Sequence, residues 1–288
     1  MDKQSVVTGV AVAVAGVRGL AGLLGDRAPA TPDDDPVRTL RGRGHRYKDR
    51  ATRLGLCAAR DALADAVLGT EIAGDRTGVV VSSLFGNVDT VCDTVDRIAT
   101  DTYLGASPAS LPNSASNVIA SWIAIEHGLR GPSLTVCDGD ESGLDAVYLA
   151  ALLIRGGRAD RMLVVGVEPD NPAVRHLTGH ATVDGAAALV LESGAAAAER
   201  SARVRAVLGG FARRDTLDES VSALAPERIG LRCGSRHHDL TARLGDCGGA
   251  LGVLQCVAGA SWLTDRADGA MLATAGAAAL VLTAGGAA

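Results

Sequence analysis

Gly131-Pro-Ser-Leu-Thr-Val-Cys-Asp-Gly-Asp-Glu-Ser-Gly-Leu-Asp-Ala146 places a strand, a polar turn and the opening of a helix in one short stretch. Residues 134–137 are short and apolar, as a strand requires. Residues 142–155 have good helix propensity and are closed by Gly156 and Gly157. The same alternation recurs on both sides. Residues 77–82, 161–167 and 186–192 are nearly continuous apolar runs, which predicts strands buried on both faces. Leu54, Leu56, Ala59, Leu63 and Val67 recur at helical spacing over 52–67. Residues 118–127 read as a helix that Gly128 is placed to cap. Strands alternating with helices predict α/β layering.

The outer segments are read with the same rules. Residues 4–10 form a β-branched strand ending in a turn at Gly9. The Pro-, Asp- and Arg-rich stretch 26–50 reads as a surface loop, and 104–117 as a loop with two prolines and two asparagines. Residues 85–100 read as loop then helix, and 195–202 as helix. Strands are expected at 204–208, 229–233 and 278–282, with a helix at 251–264. No repeat of 20–50 residues is visible.

Composition narrows the class. Of 288 residues, 47% are hydrophobic but only 2% aromatic, and 36 are Gly. The core must therefore be built from Ala, Val, Leu and Ile with close backbone approach. The net charge is −5 with both signs dispersed, so no basic stripe points to nucleic acid. No apolar run reaches the roughly 18 residues of a membrane span, and residues 6–24 are interrupted by Arg18. Cys57, Cys92, Cys137, Cys233, Cys247 and Cys256 form no CxxC pair, and without a secretory signal the expectation is a cytoplasmic protein with reduced thiols. Cys233, His237, His238 and Cys247 match no common zinc spacing, so no metal is expected. No nucleotide or flavin fingerprint is present either, so no cofactor is expected.

The motifs from residue 107 to 192 resemble those of the β-ketoacyl synthases of fatty-acid and polyketide assembly. Ser107-Pro-Ala-Ser-Leu-Pro-Asn113 is similar to the loop before the family nucleophile. Asn117 to Val136 is similar to a buried helix and its following strand. Ser142-Gly-Leu-Asp-Ala146 with Ile154-Arg-Gly-Gly-Arg-Ala-Asp160 resembles the nucleophile helix. Leu163-Val-Val-Gly-Val-Glu168 and Asp184-Gly-Ala-Ala-Ala-Leu-Val-Leu-Glu192 resemble two late strands, and Val6-Val-Thr-Gly9 the opening one. The resemblance implies a thiolase-like αβαβα fold. It divides the chain into a first half at residues 1–200 and a shortened second half at 201–288, packed as one compact unit.

A condensing enzyme of this kind holds a Cys thiolate at a helix N-terminus, a backbone oxyanion hole and two histidines. By the resemblance, the nucleophile position falls on Asp140, with Cys137 three residues earlier. The histidine positions fall on Cys233, in Ile229-Gly-Leu-Arg-Cys-Gly-Ser235, and on Asp246, in Leu244-Gly-Asp-Cys-Gly-Gly-Ala-Leu-Gly252. Between these two the chain is much shorter than the family pattern. The glycine-rich loop before the last strand is reduced to about Thr274-Ala-Gly276.

Chemistry leaves several roles open. Asp140 suits a helix cap or a catalytic carboxylate. Asp138, Asp140 and Glu141 are close enough to repel and raise one pKa. Cys137 suits a buried structural thiol or a displaced nucleophile. His237 and His238, beside Arg236 and Asp239, suit a solvated pair or relocated catalytic histidines. His127 suits the negative end of its helix, and Phe85-Gly86 a tunnel border or simple turn packing.

Losing all three catalytic side chains implies a subunit resembling the chain length factor of type II polyketide synthases. Its partners would be an active ketosynthase, in a heterodimer, and an acyl carrier protein bearing the acyl chain. Leu134, Thr135 and Val136 would form the shared interface, and Phe85, Asn117 and Leu144 would border the acyl tunnel. The alternatives are a divergent acyl-transfer, decarboxylating or cyclising enzyme using Asp140, Cys137 or Cys233, and a homodimeric docking scaffold for carrier protein.

Overall fold

The structure, a computed structural model, describes residues 4–17, 19–25, 35–68, 74–105, 111–225, 228–264 and 266–285. Most of the loop motif at 107–113 and the start of the 26–50 segment lie outside the described residues. The chain opens with β1 (Ser5–Val14), the short α1 (Ala21–Leu24), α2 (Arg50–Asp65), β2 (Thr77–Ser82), α3 (Val88–Asp101) and α4 (Val118–His127). The central motif follows as β3 (Ser133–Val136), α5 (Ser142–Arg155) and β4 (Arg161–Glu168). After α6 (Pro172–Thr178), β5 (Gly185–Ser193) and α7 (Gly194–Glu199) come β6 (Ala206–Arg213), α8 (Leu217–Leu224), β7 (Ile229–Cys233) and α9 (Leu240–Leu244). The chain closes with α10 (Leu251–Leu263), β8 (Ala270–Ala275) and β9 (Ala278–Thr283).

Nine strands join in the order β3-β2-β4-β5-β1-β6-β9-β8-β7. β2 runs parallel to β3 and β4, β7 runs parallel to β8, and the other pairs are antiparallel. The two halves meet at β1 and β6, which pair only through Val6–Val207 and Val7–Ala206. Strand alternation sorts side chains between two cores. In β2, Val79 and Val81 pack beneath α2 and α4, whereas Val80 faces α5 and α10. The inner core joins Leu144 and Val147 of α5 to Leu254 and Val257 of α10, and to Leu189, Met271 and Leu280 of both half-sheets. On the far face Leu217, Val221 and Leu224 of α8 pack against Leu272 and Val281. The order is helix, sheet, helix, sheet, helix, the thiolase-like layering. Among the described residues the second half has four strands and a single outer helix, α8.

Several expected boundaries move. β1 does not turn at Gly9 but continues to Val14, because Thr8 forms a bulge and donates to buried Glu192 at 2.7 Å. Gly9 then lets α2 pack against the strand; a Cβ there would lie 2.4 Å from the Ala62 carbonyl. The 26–50 segment is not a plain loop where described, since 3-10 turns occupy Pro36–Thr39 and Arg43–Tyr47. β6 extends to Arg213, and β8, α6, α8 and α9 are additional. The last three helices are short and fixed by their caps: Asn171 accepts from Val174 N–H, Thr216 and Glu219 form a capping box, and Asp239 caps α9. Gly128 caps α4 in the left-handed region as expected. No described helix is long and apolar enough to cross a membrane.

Candidate functional site

Two glycines bring the central helices into backbone contact at their N-terminal ends. A Cβ on Gly143 would lie 2.6 Å from Gly252 N, and one on Gly252 would lie 2.3 Å from Leu144 N. The turn before α5 is therefore held beside the entrance of α10. A cleft of about 340 Å³ opens there, lined by Asp140, Gly234, Ser235, Leu251, Gln255 and Thr274 among others.

The turn is acidic and closes on itself. Ser142 Oγ accepts from Asp138 N–H at 2.6 Å and donates to the Gly139 carbonyl at 2.7 Å. The residue preceding α5 is Glu141, which makes no side-chain cap. Asp140 is exposed and its carboxylate has no hydrogen-bond partner among the described residues, so the helix-cap expectation is not met. Partial burial raises the Asp140 pKa, and the neighbouring Asp246 and Glu141 carboxylates raise it further. Glu141 instead reaches the β8–β9 turn, where its Oε1 accepts from Ala277 N–H at 2.9 Å. Gly276, at φ +52°, is required beside it, since a Cβ would lie 2.1 Å from that carboxylate. Arg213, at the end of β6, bridges Asp138 at 2.7 Å and Asp145 at 2.5 Å. The second half thus fastens the turn at two points.

The positions matched to the family histidines diverge. Asp246 lies within electrostatic reach of Asp140. It accepts from Gly248 N–H at 2.9 Å and holds His180 Nε2 at 2.8 Å. That contact is the main reason the His180 pKa is raised. Cys233 is 1% exposed in the inner core, and burial pushes its thiol up to about 12. Cys247 is equally buried and also pushed up to about 12. His237 and His238 are exposed. Among the described residues no group of three or more His, Cys, Asp or Glu is set to hold a metal. Cys137 is exposed rather than buried, and its Sγ lies 3.6 Å from the Leu84 carbonyl.

Sequence reasoning missed His180 and Glu168. His180 stands in a loop without motif. Glu168 had a visible signal, a carboxylate ending an apolar strand. It is fully buried and accepts from Leu84 N–H at 2.9 Å, Phe85 N–H at 3.0 Å, Gly249 N–H at 2.9 Å and Ser83 Oγ at 3.2 Å. Burial nevertheless raises its pKa. Glu168 therefore positions the loop carrying Phe85 against the turn that leads into α10. Phe85 is half-buried, Leu144 is wholly buried between the half-sheets, and Asn117 is exposed before α4. Leu134, Thr135 and Val136 lie on β3, the outermost strand of the sheet. Leu134 is 38% exposed, and Val95 and Ile98 on α3 and Ile125 on α4 also face solvent.

The model of the β-ketoacyl synthase N-terminal domain matches residues 34–183, just over half of the 288-residue chain. The chain belongs to the β-ketoacyl synthase family. The ketoacyl synthase alpha subunit of the tetracenomycin polyketide synthase of Streptomyces glaucescens is 30% identical over 274 residues, covering 74% of this chain and 63% of that protein. The 3-oxoacyl-[acyl-carrier-protein] synthase 2 of Vibrio harveyi is 26% identical over 206 residues, covering 62% of this chain and 50% of that protein. The chain thus spans 63% and 50% of the length of these two curated relatives, less than two thirds in each case. Among solved structures, a chain from a type II polyketide ketosynthase complexed with its acyl-carrier protein superposes with TM-score 0.83 at 21% identity, covering 99% of this chain and 100% of that one. The ishigamide ketosynthase/chain length factor gives TM-score 0.76 at 23% identity, covering 98% and 99%. Both likenesses establish the fold. The strand and helix on either side of the acidic turn are both formed, as β3 and α5.

Proposed function

We propose that this chain is a non-condensing ketosynthase-like subunit, of the chain-length-factor kind, that pairs with an active ketosynthase in type II polyketide or fatty-acyl assembly. What supports this reading is Asp140, a carboxylate where the sequence resemblance puts the family nucleophile, in a complete strand–turn–helix unit. A carboxylate cannot hold an acyl chain as a thioester, and this one stands among Asp138, Glu141 and Asp246 with no histidine at either matched position.

The exposed edge supports pairing. β3 presents an unpaired strand edge with Leu134 partly exposed, and the neighbouring α4 adds the exposed Ile125. Such an edge is normally shielded or paired, and apolar area gathered there suits a partner surface. In the proposed heterodimer, β3 meets the ketosynthase, Leu134, Thr135 and Val136 form the contact, and Phe85 and Asn117 border the partner's acyl tunnel, whereas Leu144, sealed in the inner core, does not reach it. The acyl chain would arrive on a carrier protein docked to the pair. Co-expression with a type II ketosynthase, followed by size-exclusion chromatography with mass determination, is expected to give a one-to-one complex. Leu134→Arg places an unpaired charge in the contact and is expected to weaken the complex by at least about tenfold. A Leu134→Arg protein that co-purifies as well as wild type overturns the interface, and a homodimer that ignores every ketosynthase overturns the reading.

The exposed Cys137 favours one second reading, a displaced acyl-accepting thiol. Incubation with acyl-loaded carrier protein and intact-mass analysis would then reveal an adduct that disappears in Cys137→Ala. No adduct is expected if the chain is a non-condensing subunit.

A further inference from the structure

α3 is built unlike the other long helices of the chain. None of its 14 residues is buried, whereas α2, α4, α5 and α10 each bury several. Its apolar residues still fall on one stripe, with Val88, Val91, Val95 and Ile98 at helical spacing. Val88 and Val91 are half-buried, but Val95 and Ile98 face solvent. The turn Thr102–Gly105 continues this surface with Tyr103 and Leu104, each 77% exposed. Thr102 enters the turn at φ +60° and ψ −172°, a region that a β-branched residue occupies only at a cost. Gly105 lets the turn fold back on the helix, since a Cβ there would lie 2.6 Å from the Asp101 Cβ. α6 packs beside α3 and adds the exposed Leu177. Val95, Ile98, Tyr103, Leu104 and Leu177 belong to none of the three cores of the chain. Apolar surface gathered in this way suits a partner.

The pairing proposed above needs more surface than β3 supplies. β3 has 4 residues, which is about 13 Å of strand at about 3.3 Å per residue. A stable complex buries about 800 Å² on each partner, from roughly 20–30 residues. The surface next to β3 runs over α4, with exposed Ile125, to the turn Leu111–Ser114, with exposed Leu111, and from that turn to α3. We infer that the ketosynthase contact follows this path and that Val95, Ile98, Tyr103 and Leu104 are its anchoring side chains. Charge fixes the kind of surface that covers them. α3 carries Asp89, Asp93, Asp96 and Asp101 against a single arginine, Arg97, which pairs with Asp93 at 2.9 Å. Asp96 and Asp101 make no ion pair among the described residues. Two copies of α3 set face to face would bring these carboxylates together, which disfavours a second copy as the occupant. The partner's surface is therefore apolar with a basic rim. The contact presupposes the proposed pairing and extends it to a second element.

The test is the dissociation constant between the purified chain and a type II ketosynthase, measured by biolayer interferometry on variants of exposed positions. Ile98→Arg and Leu104→Arg are each expected to weaken the complex by at least about tenfold. Val67→Arg, which changes another exposed apolar side chain just beyond the end of α2, is expected to leave it unchanged. Urea unfolding should show all three variants folded, since surface substitutions of this kind disturb stability little. Asp96→Lys combined with Asp101→Lys is expected to weaken the complex by a few-fold and to flatten its salt dependence. Amide exchange over residues 95–104 should slow in the complex. A ketosynthase that binds Ile98→Arg and Leu104→Arg as tightly as wild type overturns the α3 contact and leaves the pairing at β3 standing. A wild-type chain that binds no ketosynthase overturns the pairing and the α3 contact with it. A homodimer that Ile98→Arg dissolves would give this face to a second copy and overturn the α3 contact with the ketosynthase.

Discussion

Glu168 and Asp140 are both acids beside the entrances of the central helices, and the fold treats them in opposite ways. Glu168 is fully buried and its oxygens are occupied by three backbone N–H groups and a serine hydroxyl. Asp140 is exposed, lines the cleft and has no hydrogen-bond partner among the described residues, while Asp246 and Glu141 press on it electrostatically. One carboxylate is a structural joint that three segments depend on. The other lines the cleft, and none of the hydrogen bonds among the described residues engages it.

That contrast is broken most forcefully at Glu168. Glu168→Ala removes the acceptor for four donors in the interior. Each orphaned buried donor costs about 1–3 kcal/mol, and water entering the vacated space recovers some of that. A loss of at least about 3 kcal/mol in urea unfolding is expected, with Glu168→Gln, which retains one acceptor oxygen, in between. A loss below about 1 kcal/mol would mean that the loop at Ser83–Phe85 is held by something other than this carboxylate.

The glycine of the β8–β9 turn gives an intermediate effect. Gly276→Ala forces a side chain into the left-handed region and against the Glu141 carboxylate, displacing its bond to Ala277 N–H. The strained backbone and the lost hydrogen bond together predict a loss of about 1–3 kcal/mol. Glu141→Ala combined with Gly276→Ala should recover part of it, because the collision disappears. Additive losses in the double variant would show that the two residues do not meet.

How much of this the sequence disclosed depends on how local each feature is. The central motif was readable because strand, turn and helix each carry their own signal within a few residues, and because Gly143 and Gly252 sit in motifs of fixed spacing. β2, β4 and β5 were readable because strands buried on both faces are continuously apolar. β8 was missed because Ala270-Met-Leu-Ala-Thr-Ala275 is a short Ala-rich run that lacks β-branched residues apart from its Thr. The extension of β1 past Gly9 was missed because a glycine in a strand signals a turn unless a helix is known to pack on it. At the site, the sequence offered Asp140 and Asp246 as candidates, but not their surroundings. The contact of Asp246 with His180 spans 66 residues, and that of Glu141 with Ala277 spans 136. No local pattern encodes such pairings. The burial of Cys233 was likewise invisible, since a strand-end cysteine faces core or solvent according to the layer above it.

Asp140→Asn tests the quiet side of the comparison. A carboxylate whose pKa is higher in the folded protein binds its proton more tightly there than in the unfolded chain. Its contribution is therefore most favourable below the ordinary carboxylate pKa and declines as pH rises through the folded value. Asparagine removes the repulsion from Asp246 and Glu141 without removing any hydrogen bond the structure contains. At neutral pH the variant should be within about 0.5 kcal/mol of wild type, or slightly more stable, and its urea midpoint should vary less with pH across the carboxylate range. Asparagine caps a helix as well as aspartate does, so a cap at this position would show instead in Asp140→Ala, at a cost of about 1 kcal/mol. A loss of that size in Asp140→Ala would therefore mean that the side chain does hold the N-terminus of α5. An unchanged stability with a flattened pH profile would leave Asp140 as a group the fold does not use. Its retention would then have to be explained by what enters the cleft or by the subunit that covers it.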